Sequence, residues 1–127
     1  MSKDRFFSGG GQSEIDSLNA YTYSNSGIVN TTAMKLGRVV QLTFYYQSAV
    51  SATSANSWVS LGTIKEEFRP QYEISAMLMD NGAANRQTMP LMVKITPEGT
   101  VSWYAYNATD TCKPRGIMTY ISASKPQ

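Results

Sequence analysis

The sequence predicts an all-β fold, a small antiparallel β-barrel or sandwich of about seven or eight strands. Three observations lead there. Serine, threonine, asparagine and glycine supply 43 of the 127 residues, and with eight tyrosines they favour strands and tight turns over helices. No window of about eleven residues carries a helical apolar stripe, whereas several alternate in the manner of a strand with one buried face. One stretch, residues 89–106, reads as strand, Pro/Gly turn and strand, the pattern of a hairpin.

Taken in order, residues 1–12 are polar and glycine-rich around Gly9-Gly10-Gly11 and are expected to form a flexible tail, leaving residues 13–127 as one domain. Residues 14–18 fit a single helical turn. Short strands are expected at residues 21–23 and 28–36. The strongest signal lies in residues 37–46, where Val40, Leu42, Phe44 and Tyr46 share one face and Val39, Gln41, Thr43 and Tyr45 the other. Residues 49–56, rich in Ala, Ser, Thr and Asn, read as a loop. Strands follow at residues 58–64 and 74–79. In the hairpin, Leu91, Val93 and Ile95 oppose Met92, Lys94 and Thr96; Pro97-Glu98-Gly99 turns the chain; then Val101, Trp103 and Ala105 oppose Ser102, Tyr104 and Tyr106. Residues 107–115 read as a second loop, and residues 117–122 as the last strand.

Size and charge narrow the function. A chain of 14.0 kDa buries roughly two-thirds of the surface that its unfolded form exposes, enough for a core without disulfides or metals. Its longest apolar runs, residues 76–79 and 103–106, are far shorter than the ~20 residues of a membrane-spanning helix, so no membrane insertion is expected. Eleven Lys and Arg stand against nine Asp and Glu, scattered and without a block of like charge. That balance argues against nucleic acid as a partner. The start, Met1-Ser2-Lys3-Asp4-Arg5, lacks the apolar segment of a secretory signal, so synthesis in the cytoplasm without that export route is expected. Asn107-Ala108-Thr109 fits the glycosylation acceptor pattern, an accidental match without a secretory route.

Catalytic and metal chemistry find little support. There is no histidine, hence no Ser-His-Asp or Cys-His arrangement, and the one cysteine, Cys112, makes neither an internal disulfide nor a zinc pattern. Cys112 is expected as a partly buried thiol without a base. Gly9-Gly10-Gly11 is not followed by the residues of a phosphate loop. Glu66 and Glu67, adjacent in extended chain, point to opposite faces, and Asp80, Glu98 and Asp110 fall in expected turns as solvated acids. The expectation is a protein that is not an enzyme, with no cofactor and no metal. What remains is an aromatic and polar cluster, Trp103, Tyr104, Tyr106, Asn107, Asp110, Lys113, Arg115 and Tyr120. Such a mix suits a sugar, whose C–H face packs on a ring and whose hydroxyls need polar partners. Periodicity alone places Trp103 in the core, because it shares a face with Val101 and Ala105.

The order Phe68-Arg69-Pro70, then an apolar strand, then Leu91-Met92-Val93-Lys94-Ile95-Thr96-Pro97-Glu98-Gly99-Thr100-Val101-Ser102-Trp103, then Pro114-Arg115-Gly116-Ile117-Met118-Thr119-Tyr120, resembles a phage module. It is similar to the C-terminal head domain of lactococcal-type tailed-phage receptor-binding proteins, over roughly residues 37–123. The resemblance implies a β-barrel head, assembled as a homotrimer at the virion tail tip. Such a head binds host cell-wall glycan noncovalently in crevices between subunits and associates with other tail and baseplate proteins. It implies that Trp103 stacks on the saccharide and that Arg115 donates hydrogen bonds. The family's His and Asp positions fall here on Met92 and Lys94, a departure that exchanges a carboxylate acceptor for an ammonium donor and favours an anionic group on the ligand. Tyr106, Asn107 and Asp110 complete the expected ligand-binding set. The alternative is a structural trimeric tail-tip or baseplate module without a ligand site, in which Trp103 is simply core. Part of the second apolar face, including Val39, Tyr45 and Tyr104, is expected at subunit contacts.

Overall fold

A computed structural model describes residues 21–80 and 90–123. Among the described residues, ten strands run in the order β1 Tyr21–Asn25, β2 Thr31–Leu36, β3 Val39–Tyr45, β4 Val50–Ser51, β5 Ser57–Thr63, β6 Ile74–Asp80, β7 Leu91–Ile95, β8 Thr100–Ala105, β9 Thr111–Cys112 and β10 Pro114–Ile121. Eight of them form one antiparallel sheet in the order β1-β2-β3-β10-β6-β7-β8-β5, and β4 pairs with β9 in a small second sheet. The all-β expectation holds. The expected tail at residues 1–12 and the helical turn at residues 14–18 lie outside the described residues.

Register explains why the sheet curls. Ala33 of β2 opposes Leu42 of β3, which opposes Met118 of β10; Ala76, Val93, Trp103 and Val59 form a matching row across β6, β7, β8 and β5. Every second residue therefore faces one interior, where Val40, Leu42, Phe44, Leu91, Val93, Ile95, Val101 and Trp103 are all buried. The sheet bends into a half-barrel, and its outermost strands meet at one end, where the Lys65 amide donates to the Ser26 carbonyl at 2.8 Å. Gly62, at φ +129° beside a β-bulge at Leu61, leaves the space that the Ile28 side chain fills. An alanine methyl there would collide with the Ile28 Cγ2.

Directly after that junction comes the short 3-10 turn Glu66–Phe68, whose Phe68 ring enters the core. Its carbonyls are claimed by buried donors. Tyr120 Oη donates to the Phe68 carbonyl at 2.5 Å, while Lys35 Nζ at 2.9 Å and Ser122 Oγ at 3.0 Å donate to that of Glu67. The aromatic-Arg-Pro segment is thus a structural plug, with the Arg69 carbonyl accepting from the Ala123 amide and Pro70 bridged to Ser122. Glu66 and Glu67 stand on this turn rather than in the extended chain expected of them.

Two expected loops hold short pairing segments. Val50–Ser51 pairs with Thr111–Cys112, and Cys112 is fully rather than partly buried. The last strand starts at Pro114, three residues before the expected position, so Arg115 sits in regular sheet opposite Tyr45 and Met79. Residues 28–30 belong to the turn before β2, with Asn30 at φ 53°.

Candidate functional site

Burial sorts the expected ligand-binding residues. Trp103 is 0% exposed, wedged between Val93 and Val59 of the flanking strands, so its indole meets core side chains rather than solvent. Tyr120 is buried with its hydroxyl committed to Phe68. Asp110, expected as a solvated turn acid, is also buried. Its Oδ2 accepts from the Tyr106 and Asn107 amides, both at 3.0 Å, and its Oδ1 from Asn107 Nδ2 at 3.5 Å. That is the side-chain-to-backbone bonding by which Asp closes a tight turn. Asp80 ends a strand rather than lying in a turn, and its Oδ1 accepts from the Lys113 amide at 3.0 Å.

Lys94 and Arg115 both reach the outer surface of the sheet but do not share a pocket. Lys94 pairs in register with Ser75 of β6 and Arg115 with Met79, four residues further along that strand. At ~3.3 Å per residue, with β6 between their strands, roughly 15 Å separates them. The Arg115 Nε donates to the Tyr46 carbonyl at 3.0 Å.

The outer face of β7, β8 and β5 does bring expected residues together, around two rings the resemblance does not single out. Trp58 of β5 lies opposite Tyr104 of β8. Their rings meet edge to face at 5.2 Å, and Tyr104 meets Tyr106 in the same manner at 5.0 Å. Lys94 reaches across from β7 and sets its ammonium 4.4 Å from the centre of the Trp58 ring, a cation–π contact. Met92 lies two residues from Lys94 on the same half-buried side of β7. Beyond Tyr106 the turn presents Asn107, exposed and anchored through Asp110. The turn is tied to the preceding loop by bonds from the Asn56 amide to the Tyr106 carbonyl and from the Ala52 amide to the Asp110 carbonyl.

The result is a ladder of three rings, Trp58, Tyr104 and Tyr106, with an ammonium at one end and an amide at the other. Trp58 and Tyr104 are half-buried and Tyr106 is 37% exposed, so each ring is held on the sheet while part of it faces out. Rings offer flat apolar surface; lysine, tyrosine and asparagine offer hydrogen-bond donors and acceptors around it. Two depressions lie elsewhere. One of about 410 Å³ opens where Ile121 faces Tyr72, and another of about 280 Å³ lies over Met34 and Val39. Neither is lined by a charged side chain, and the ladder carries the richer chemistry. Among the described residues no cluster of three or more His, Cys, Asp or Glu is placed to hold a metal ion.

Sequence reasoning missed Trp58. A signal was present, since Trp58 and Ser60 alternate with Val59 ahead of the bulge, but pairing Trp58 with Tyr104 requires the β5–β8 register. No protein-family model matches the chain, and no curated protein matches it.

Proposed function

We propose that this domain is the receptor-binding head of a phage or prophage tail or baseplate protein, which binds a host cell-surface saccharide noncovalently. The observation that carries the proposal is the ladder: three contiguous aromatic rings on the sheet surface, Trp58 across from Tyr104 and Tyr106 along from it, flanked by Lys94 and Asn107. A pyranose packs its C–H face on such rings while its hydroxyls and any anionic substituent engage the polar rim. The resemblance of residues 68–103 and 114–120 to phage heads supports the same reading. In this proposal the residues that touch ligand are Trp58, Tyr104, Tyr106, Lys94 and Asn107, with Met92 beside them. Trp103 and Asp110 act only by holding the scaffold, and Arg115 stands apart. The head works at the virion tail tip, beside other tail and baseplate proteins. A shallow polar site gains little per copy, so attachment draws on many copies at once.

The second reading, a structural tail-tip module without a ligand, is favoured by one observation: the tryptophan on which the family's crevice depends is fully buried here. Titration of the protein with bacterial cell-wall saccharide fragments, followed by indole fluorescence, separates the readings. Under the first, the signal of half-buried Trp58 changes on binding and Trp58→Phe removes the change; under the second, no fragment alters it.

A further inference from the structure

Lys94 holds a ring face that a ligand would use. Its ammonium lies 4.4 Å from the centre of the Trp58 ring, so a cation is already seated on the ladder. The rings are not coplanar. The planes of Trp58 and Tyr104 meet at 72° and those of Tyr104 and Tyr106 at 76°. A pyranose covers one such face, whereas the corner between two nearly perpendicular faces fits a compact, rounded group, and the negative quadrupoles of both faces attract a cation there. The next register row differs in kind. Ser60 pairs with Ser102, Ser102 with Lys94 and Lys94 with Ser75, so three serines and the root of the lysine side chain cross β5, β8, β7 and β6 in one line. Ser60 and Ser75 are exposed, and Ser102, between Ser60 and Lys94, is buried. Two residues along each strand, roughly 7 Å, separate this row from that of Trp58 and Tyr104. Neither row contains a carboxylate.

We infer that the site takes a zwitterionic phosphocholine group carried on the saccharide, with its trimethylammonium at the corner of Trp58 and Tyr104 and its phosphate at Lys94. Binding moves the lysine ammonium off the Trp58 face, and its flexible four-carbon stem carries it to the phosphate, alongside the hydroxyls of its own row. An exposed cation–π contact is weak, so replacing it costs little. The need for both signs follows from the two rows. A bare cation would meet the like charge of Lys94 with no acid to offset it, and a bare anion would draw the lysine away and leave the ring faces empty. Methylation decides the kind of cation. A primary ammonium holds hydrogen-bonded water that the rings do not replace, whereas methyl groups spread the charge and bury apolar surface against the faces. This assignment deepens the proposed function and rests on the ladder being its ligand surface.

The test is isothermal calorimetry of the full chain with phosphocholine, choline, phosphoethanolamine and inorganic phosphate at millimolar concentration, for wild type, Lys94→Met and Trp58→Leu, with far-UV circular dichroism to show that each is folded. Wild type is expected to bind phosphocholine about tenfold more tightly than any of the other three. Lys94→Met clears the ring face and removes the partner of the anion, so it should bind choline more tightly than wild type does and hold choline and phosphocholine to within about twofold of one another. Trp58→Leu should lose both. Wild type that binds no phosphocholine, or binds it no better than choline or phosphoethanolamine, overturns the inference, as does a Lys94→Met variant that keeps the full preference. Cell-wall saccharide fragments without choline are titrated in parallel: if they bind at the ladder where phosphocholine does not, the functional reading stands and this inference falls; if neither binds, both fall. Phosphatidylcholine vesicles and a choline-substituted cell-wall polymer then separate the two sources of the group. Retention by the polymer supports the inference, and retention by vesicles alone overturns the placement of the group on a saccharide.

Discussion

Truncating Trp103 and Trp58 separately should give opposite results in stability and in binding. Trp103 is 0% exposed and sits between Val59 and Val93, so Trp103→Ala empties the centre of the core. Burying an indole of about 200–250 Å² at ~25 cal/mol per Å² sets an upper bound near 5–6 kcal/mol, and comparable truncations cost about 3–5 kcal/mol. Against a domain stability of about 5–15 kcal/mol, that is a large share. At roughly 4 °C per kcal/mol for a domain of this size, the midpoint of thermal unfolding should fall by about 12–20 °C. Trp58→Ala removes a half-buried ring with one edge-to-face partner and one ammonium, contacts worth about 1 kcal/mol each. Its midpoint should fall by less than about 8 °C. The assay is thermal unfolding by circular dichroism at one protein concentration, with saccharide retention measured well below both midpoints. A Trp103→Ala midpoint within ~2 °C of wild type, or a Trp58→Ala loss larger than that of Trp103→Ala, would refute the assignment of core and site.

Two further outcomes follow from the buried polar groups. Asp110→Ala leaves the Tyr106 and Asn107 amides without their carboxylate acceptor, and should cost about 1–3 kcal/mol in urea unfolding, with Asp110→Asn costing less because one acceptor oxygen remains. Burial raises the Tyr120 phenol above its usual range, and burial foremost moves Tyr46 the same way. The folded state then keeps protons that the unfolded chain loses, so this contribution is fully present below about pH 10 and drains away as pH rises further. Lys35, lowered chiefly by burial, opposes this trend. Tyr120→Phe should therefore lose stability less steeply than wild type between about pH 10 and 12, as read by denaturant midpoints at each pH.

Much of the fold was legible because alternation reports burial directly. Val40, Leu42 and Phe44 were assigned to one face from spacing alone, and all three are interior. The β7–β8 hairpin was equally plain, since Pro97 and Gly99 punctuate two alternating runs and Gly99 takes φ 91°. Short pairings were not legible: Val50–Ser51 and Thr111–Cys112 span two residues each, too few for any period. Residues 107–115 read as a loop, yet the Pro114 carbonyl accepts from the Tyr46 amide and the residue begins β10. The candidate site was half legible. Tyr106 and Asn107 belong to the aromatic and polar cluster visible in the sequence, and Met92 and Lys94 are implied by the resemblance, but Trp58 is 46 positions from Tyr104 and meets it only through non-local pairing. Asp110 reads as an exposed loop acid until its neighbours' amides are seen to converge on it.

The most direct test of saccharide recognition at the ladder is a glycan array of bacterial cell-wall saccharides, probed with wild type, Trp58→Ala and Tyr104→Ala, each verified as folded. The account predicts that wild type retains a defined subset and that both variants lose it. Wild type that retains nothing, or variants that retain the same subset with the same strength, would contradict it.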